Sequence, residues 1–210
     1  MRTGRIVVAA LTTTVLTACT GGGGSSSANG PGGSDSATVG QAHQVIDATD
    51  LSDPATIAAV EKIRFTDGGV QAAREAIEAG ADGDPLWAAT WVYATSGTNP
   101  APLQPLLQNG DPSIRVMAAA ALVSLGEPAA FDVLVSAVAT GEPLRGSFPP
   151  QSISAFATFT LSRYTGVDLG NTENASAAAI KKASDDWTAW LAQNRDDLTF
   201  DAAAKTWSTG

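Results

Sequence analysis

Cys19 is the only cysteine and His43 the only histidine in a chain of 210 residues. A single thiol cannot close an internal disulfide, so the chemistry left to Cys19 is covalent modification or metal ligation. A zinc site needs several His or Cys ligands, and a Ser-His-acid set needs a positioned imidazole. His43 alone supplies neither, so no catalytic residue, metal or cofactor is expected. Acidic clusters stand at Asp47, Asp50 and Asp53 and at Asp82 and Asp84, on either side of Gly83. Converging carboxylates with a tight turn are calcium chemistry, but the ordinary role of such acids is helix capping and solvated loops. Trp87 and Trp91 lie four apart, and Trp187 and Trp190 three apart. On a helix each pair shares a face. Exposed, such a pair anchors a partner; packed, it fills the core. Trp87 and Trp91 are the candidate partner-binding residues. The Gly21–Gly24 run follows no strand, so it is not a phosphate-binding loop.

The elements before Cys19 give its thiol a context. Met1–Arg5 holds two arginines and no acid, and Ile6–Val15 is apolar and uncharged. A basic start followed by a short apolar run is a secretory signal, too short for a permanent membrane span. Leu16-Thr17-Ala18-Cys19 follows directly and resembles the bacterial lipobox. That resemblance implies a diacylglycerol on Cys19 and cleavage between Ala18 and Cys19, leaving residues 1–18 as the signal. The mature chain would then be lipid-anchored on the outer face of the cytoplasmic membrane.

Residues 20–37 contain no large apolar side chain, so they cannot bury enough surface to offset ordering entropy. Residues 19–44 are therefore expected to be a disordered tether, and a Gly/Ser coil of about 25 residues reaches roughly 25–30 Å. Lys and Arg total 12 against 21 Asp and Glu. Without Arg2 and Arg5, ten cations face 21 acids, a net charge of −11. Such a surface is a poor match for nucleic acid and for anionic headgroups, so the membrane contact expected is the lipid on Cys19.

From residue 45 to 210 the pattern is repetitive. Acid-Pro pairs recur at Asp53-Pro54, Asp84-Pro85, Asp111-Pro112 and Glu142-Pro143. An acidic cap followed by proline at the first helical position is a helix start, so four units are expected near 53–80, 84–108, 111–140 and 142–165. In the third, Ile114, Met117, Ala121 and Leu125 form one helical face and Gly126 stops it; Phe131, Leu134 and Val138 form the next. A capping helix is expected over 173–194. No alternating strand pattern stands out, so the expected fold is all-α, with about eight helices.

Asp111-Pro-Ser-Ile-Arg115 through Phe131 resembles the short bacterial HEAT-like repeat, of the variety found in phycobiliprotein lyases. The resemblance implies a right-handed solenoid of helical hairpins, with Arg115 bonded to an acid or a carbonyl of the neighbouring repeat. A solenoid presents a long surface for recognition. The expected function is a membrane-tethered protein–protein interaction module with an unidentified protein partner. The alternatives are an enzyme or chaperone-like lyase, or a ligand-binding lipoprotein.

Overall fold

The computed structural model describes residues 37–147 and 150–210. Cys19, Ala18, the signal segment and most of the expected tether lie outside the described residues.

The first helix, α1 (Val39–Asp47), begins inside the stretch expected to be tether. Its start is a reciprocal capping box. The Thr38 hydroxyl accepts from Gln41 N–H at 3.3 Å, and the Gln41 side chain accepts from Thr38 N–H at 3.0 Å. The S/T-x-x-Q spacing is legible in the sequence, and Ala42 and Ile46 are fully buried. The folded region therefore starts ahead of residue 45.

Helices α2 (Pro54–Ile63) and α5 (Pro112–Ser124) start as the acid-Pro marks predict. Asp53 accepts from Ala55 N–H and Asp111 from Ser113 N–H, each at 2.8 Å. α3 (Asp67–Glu78) is capped by Thr66, so Gly68 and Gly69 lie in its first turn rather than in the preceding connection.

Two acid-Pro marks behave differently. α4 (Gly83–Ser96) opens ahead of Asp84, whose carboxylate accepts from Leu51 N–H at 2.9 Å and pairs with Arg145. A tertiary backbone donor and a guanidinium take this carboxylate away from capping. Glu142-Pro143 opens no helix. Pro143 bridges Ser152, and Leu144 N–H donates to Gln151 O at 2.9 Å, closing a loop over 142–152. The helix α7 (Ile153–Thr165) starts only after that loop, capped by Ser152.

The expected second helix of the 84–108 unit is a single 3-10 turn, Gln104–Gln108. Pro100, Pro102 and Pro105 remove the amide donors an α-helical ladder needs. Leu103 and Leu106 are nonetheless buried, as the apolar pattern requires. α6 (Ala130–Ala137) and α8 (Ala177–Asn194) complete eight α-helices among the described residues.

The chain is mostly helical without being all-α. β1 (Leu198–Asp201) and β2 (Thr206–Thr209) form an antiparallel hairpin pairing Phe200 with Trp207. Its turn contains Ala202-Ala203-Ala204, residues of high helix propensity, which conceal the strand signal. The Asp201 carboxylate overrides that preference by accepting from Ala203 and Ala204 N–H at 2.9 and 3.0 Å.

Helices adjacent in sequence are mostly neighbours in space. α3 packs on α1 and α4, α4 on α5, α5 on α6 and α7, and α6 on α7 and α8. Phe131 and Trp187, both fully buried, centre an aromatic cluster that Trp190, Phe200 and Trp207 complete. Trp187 meets Trp190 edge to face, with ring centres 5.5 Å apart. No helix among the described residues is long and apolar enough to cross a membrane.

Candidate functional site

Each of three helices turns one stripe toward a shared groove. α4 contributes Trp87, Trp91 and Thr95, α5 Met117, Ala120 and Ser124, and α7 Phe156, Phe159 and Arg163. Steps of three and four residues along each helix put every set on one face. The groove has two halves that share Trp91 and Met117. One, of about 720 Å³, is walled by Ile57 and Glu61 of α2 and by Arg145 and Gly146 of the 142–152 loop. The other, of about 600 Å³, runs on to Tyr164 and the hairpin turn at Ala204–Thr206.

The two tryptophans singled out in the sequence come together, but in different roles. Their rings stack with centroids 6.1 Å apart and planes 13° apart. Trp87 is only 3% exposed, and its indole N–H donates to Arg145 O at 3.0 Å, so it is floor and not free surface. Trp91 is half-buried and donates to Glu61 Oε1 at 2.6 Å. Glu61 also lies 2.9 Å from Arg64 Nε; this N–H is aimed off the oxygen, making the contact ionic rather than a hydrogen bond. The Arg64 guanidinium sits 5.7 Å from the Trp91 ring centre, within cation–π range.

The 142–152 loop is strapped down by Arg145. Its guanidinium reaches Asp84 and Asp111, the acids of two successive acid-Pro marks, and its backbone N–H donates to Ser113 Oγ at 3.0 Å. Partly exposed ion pairs contribute little individually; the close packing of Gly146 on Trp87 is the stronger constraint. Gly146 has φ +66°, and a Cβ there would lie 2.3 Å from Trp87 Cζ2. Gly146→Ala is therefore expected to destabilise the fold by about 1–3 kcal/mol, through left-handed strain and displacement of the loop. Urea unfolding followed by tryptophan fluorescence checks this, and an unshifted midpoint would show that the loop does not rest on Trp87.

Phe159, 63% exposed, and Arg163 are groove residues that the sequence reading did not single out. A signal existed: Phe159 falls off the Ile153–Phe156–Leu161–Tyr164 stripe, so helical periodicity alone puts an aromatic ring on the solvent side. The groove position of Lys205 depends on the hairpin and has no such local signal.

His43 and Asp50 make structural contacts. His43 Nε2 lies 2.8 Å from Glu75 Oε2, tying α1 to α3. The hydrogen bond from His43, followed by that from Gln71, holds the Glu75 carboxyl below its usual range. Asp50 accepts from Ser52 N–H and Oγ, which lowers its pKa as well. Among the described residues no group of three or more His, Cys, Asp or Glu side chains is placed to hold a metal ion. Arg115 donates to Asn109 O and Gly110 O at 2.6 and 3.0 Å, carbonyls of the connection just before its own helix rather than of a neighbouring repeat. Comparison with protein-family models, curated proteins and solved structures finds no match, so the groove itself carries the functional reading.

Proposed function

We propose that this chain is a lipid-anchored, extracytoplasmic repeat lipoprotein whose groove binds a protein partner. The observation that carries the reading is the groove: a half-open aromatic surface spread over four helices, a loop and a hairpin turn, with Phe159 63% exposed at its rim. Exposed aromatic rings beside an apolar floor are the usual anchors of protein recognition. The neighbour-on-neighbour helix packing and the Asp53 and Asp111 caps support a HEAT-like solenoid. The Leu16-Thr17-Ala18-Cys19 sequence supports lipid attachment at Cys19.

A photo-crosslinking side chain, p-benzoylphenylalanine, placed at position 159 tests the reading in intact cells. The expected result is a discrete protein adduct in the membrane fraction, absent when the probe replaces Lys181 on the exposed face of α8. In a Cys19→Ala background the chain should remain an unprocessed precursor without acyl label. Adducts of equal yield from both positions would refute the groove as a binding face. Normal processing and acylation without Cys19 would refute the anchor.

A further inference from the structure

We propose that the half of the groove between α7 and the hairpin turn takes an extended acidic segment of the partner, in which carboxylates alternate with aromatic or aliphatic side chains. This inference rests on the partner-binding reading above and specifies the chemistry of what is bound.

The argument is one of charge placement. Acids outnumber Lys and Arg by 21 to 12 in the whole chain, yet among the described residues this half of the groove is lined by two cations, Arg163 and Lys205, and by no Asp or Glu. Most of the described cations are already engaged. Arg64, Arg74, Arg145, Lys181, Lys182 and Arg195 pair with carboxylates, and Arg115 bonds to carbonyls. Arg163 and Lys205 have no carboxylate within 4.0 Å among the described residues. The two come from different elements, α7 and the hairpin turn, and both are exposed. Lys205 is held at its position by a turn of defined geometry, with φ +51° and the Asp201 carboxylate bonded to the two preceding amides.

Aromatic surface lies in the same depression. Phe156, Phe159, Tyr164 and Trp91 line it, and among the described residues Phe159 is one of the two exposed large hydrophobic side chains. Arg163 lies 5.9 Å from the Tyr164 ring centre, but cations without carboxylate partners call for carboxylates from the occupant, and the exposed ring of Phe159 calls for an apolar side chain. Complementary charge of this kind acts mainly on specificity and association rate. With charges screened beyond about 8 Å at physiological salt, the pair acts on what lies in its own depression, while Asp168 and Glu173 line the adjoining one that shares Phe159. An anionic sugar polymer would satisfy Arg163 and Lys205 but would leave Phe159 without an apolar partner.

Selection of a random-peptide phage library on the full chain, purified in detergent, tests the proposal. Selected peptides are expected to be rich in Asp or Glu interleaved with Phe, Tyr or Leu. Their affinity, measured by fluorescence anisotropy, should fall roughly tenfold or more in the Arg163→Glu, Lys205→Glu double variant, and also at high salt. Both side chains are exposed, so circular dichroism and melting should match the parent chain. Neutral or basic peptides lost with Phe159→Ala but retained by the double variant would overturn the acidic occupant while leaving the partner-binding groove standing. Failure to enrich any peptide would overturn the proposal, as would tighter binding of polygalacturonate than of any selected peptide. So would a dimer in sedimentation that Phe159→Ala dissociates, since the occupant would then be a second copy of the chain.

Discussion

Trp87→Ala is expected to lower the free energy of unfolding by about 3–5 kcal/mol, the range for emptying a large buried aromatic site. The indole is 3% exposed, stacked on Trp91 and covered by Gly146. Its loss also removes the donor to Arg145 O, so a loop carbonyl loses its protein partner as the cavity opens. Arg145 would retain Asp84 and Asp111, but exposed ion pairs cannot replace packing. Urea denaturation followed by circular dichroism measures the effect. A change below about 1 kcal/mol would mean that the 142–152 loop settles into the vacated volume and that Trp87 is not core. Trp91→Ala should be milder because its ring is half-buried. Loss of binding after replacing both tryptophans would thus report unfolding as much as recognition, and Phe159→Ala is the cleaner probe of the groove.

Trp207→Ala should have an effect of similar size, about 3–5 kcal/mol, with a different distribution through the molecule. Trp207 is 5% exposed, meets Phe131 edge to face at 5.2 Å and donates to Val123 O at 2.9 Å. Through that side chain the hairpin is fastened to the end of α5, with Phe200 lying over Gly126, where a Cβ would come within 2.7 Å of the Phe200 ring. A two-stranded hairpin has little stability of its own, so without Trp207 the segment Leu198–Thr209 should detach. Hydrogen exchange should show lost protection across β1 and β2 while the amides of α3 and α4 keep theirs. Retained protection in the hairpin would show that Phe200 and the strand pairing suffice. The same variant releases Lys205 from the groove wall, so acidic-peptide binding should fall while the α1–α7 stack persists.

These two tryptophans show how differently function and fold are written along the chain. Trp87 was readable as one of a helical pair, because four-residue spacing is a local property. Which of its two roles it plays was not readable, because burial of Trp87 depends on a loop 58 residues away. Asp84 illustrates the same divide. Its acid-Pro pair looks like that of Asp111, yet its carboxylate serves Leu51 and Arg145. No periodicity encodes that exchange.

The chemistry of Cys19 remains where the sequence put it. A lone thiol after Leu16-Thr17-Ala18 states its proposed modification through adjacent residues alone, and no tertiary contact is needed to read it. The helices at Asp53 and Asp111, the apolar faces of α5 and α6 and the acidic balance were likewise legible, since capping, 3.6-residue periodicity and net charge are local or additive. The hairpin, the Arg145 strap and the cation pair of the groove were decided by tertiary structure. Each depends on residues distant in sequence meeting in space: Arg145 with Asp84 and Asp111, Trp207 with Val123, Lys205 with Arg163 across one depression. Local propensity in the Ala202–Ala204 turn even favours helix, and packing of Trp207 against Phe131 outweighs it, because a buried aromatic ring contributes more than a few residues' preference for helix.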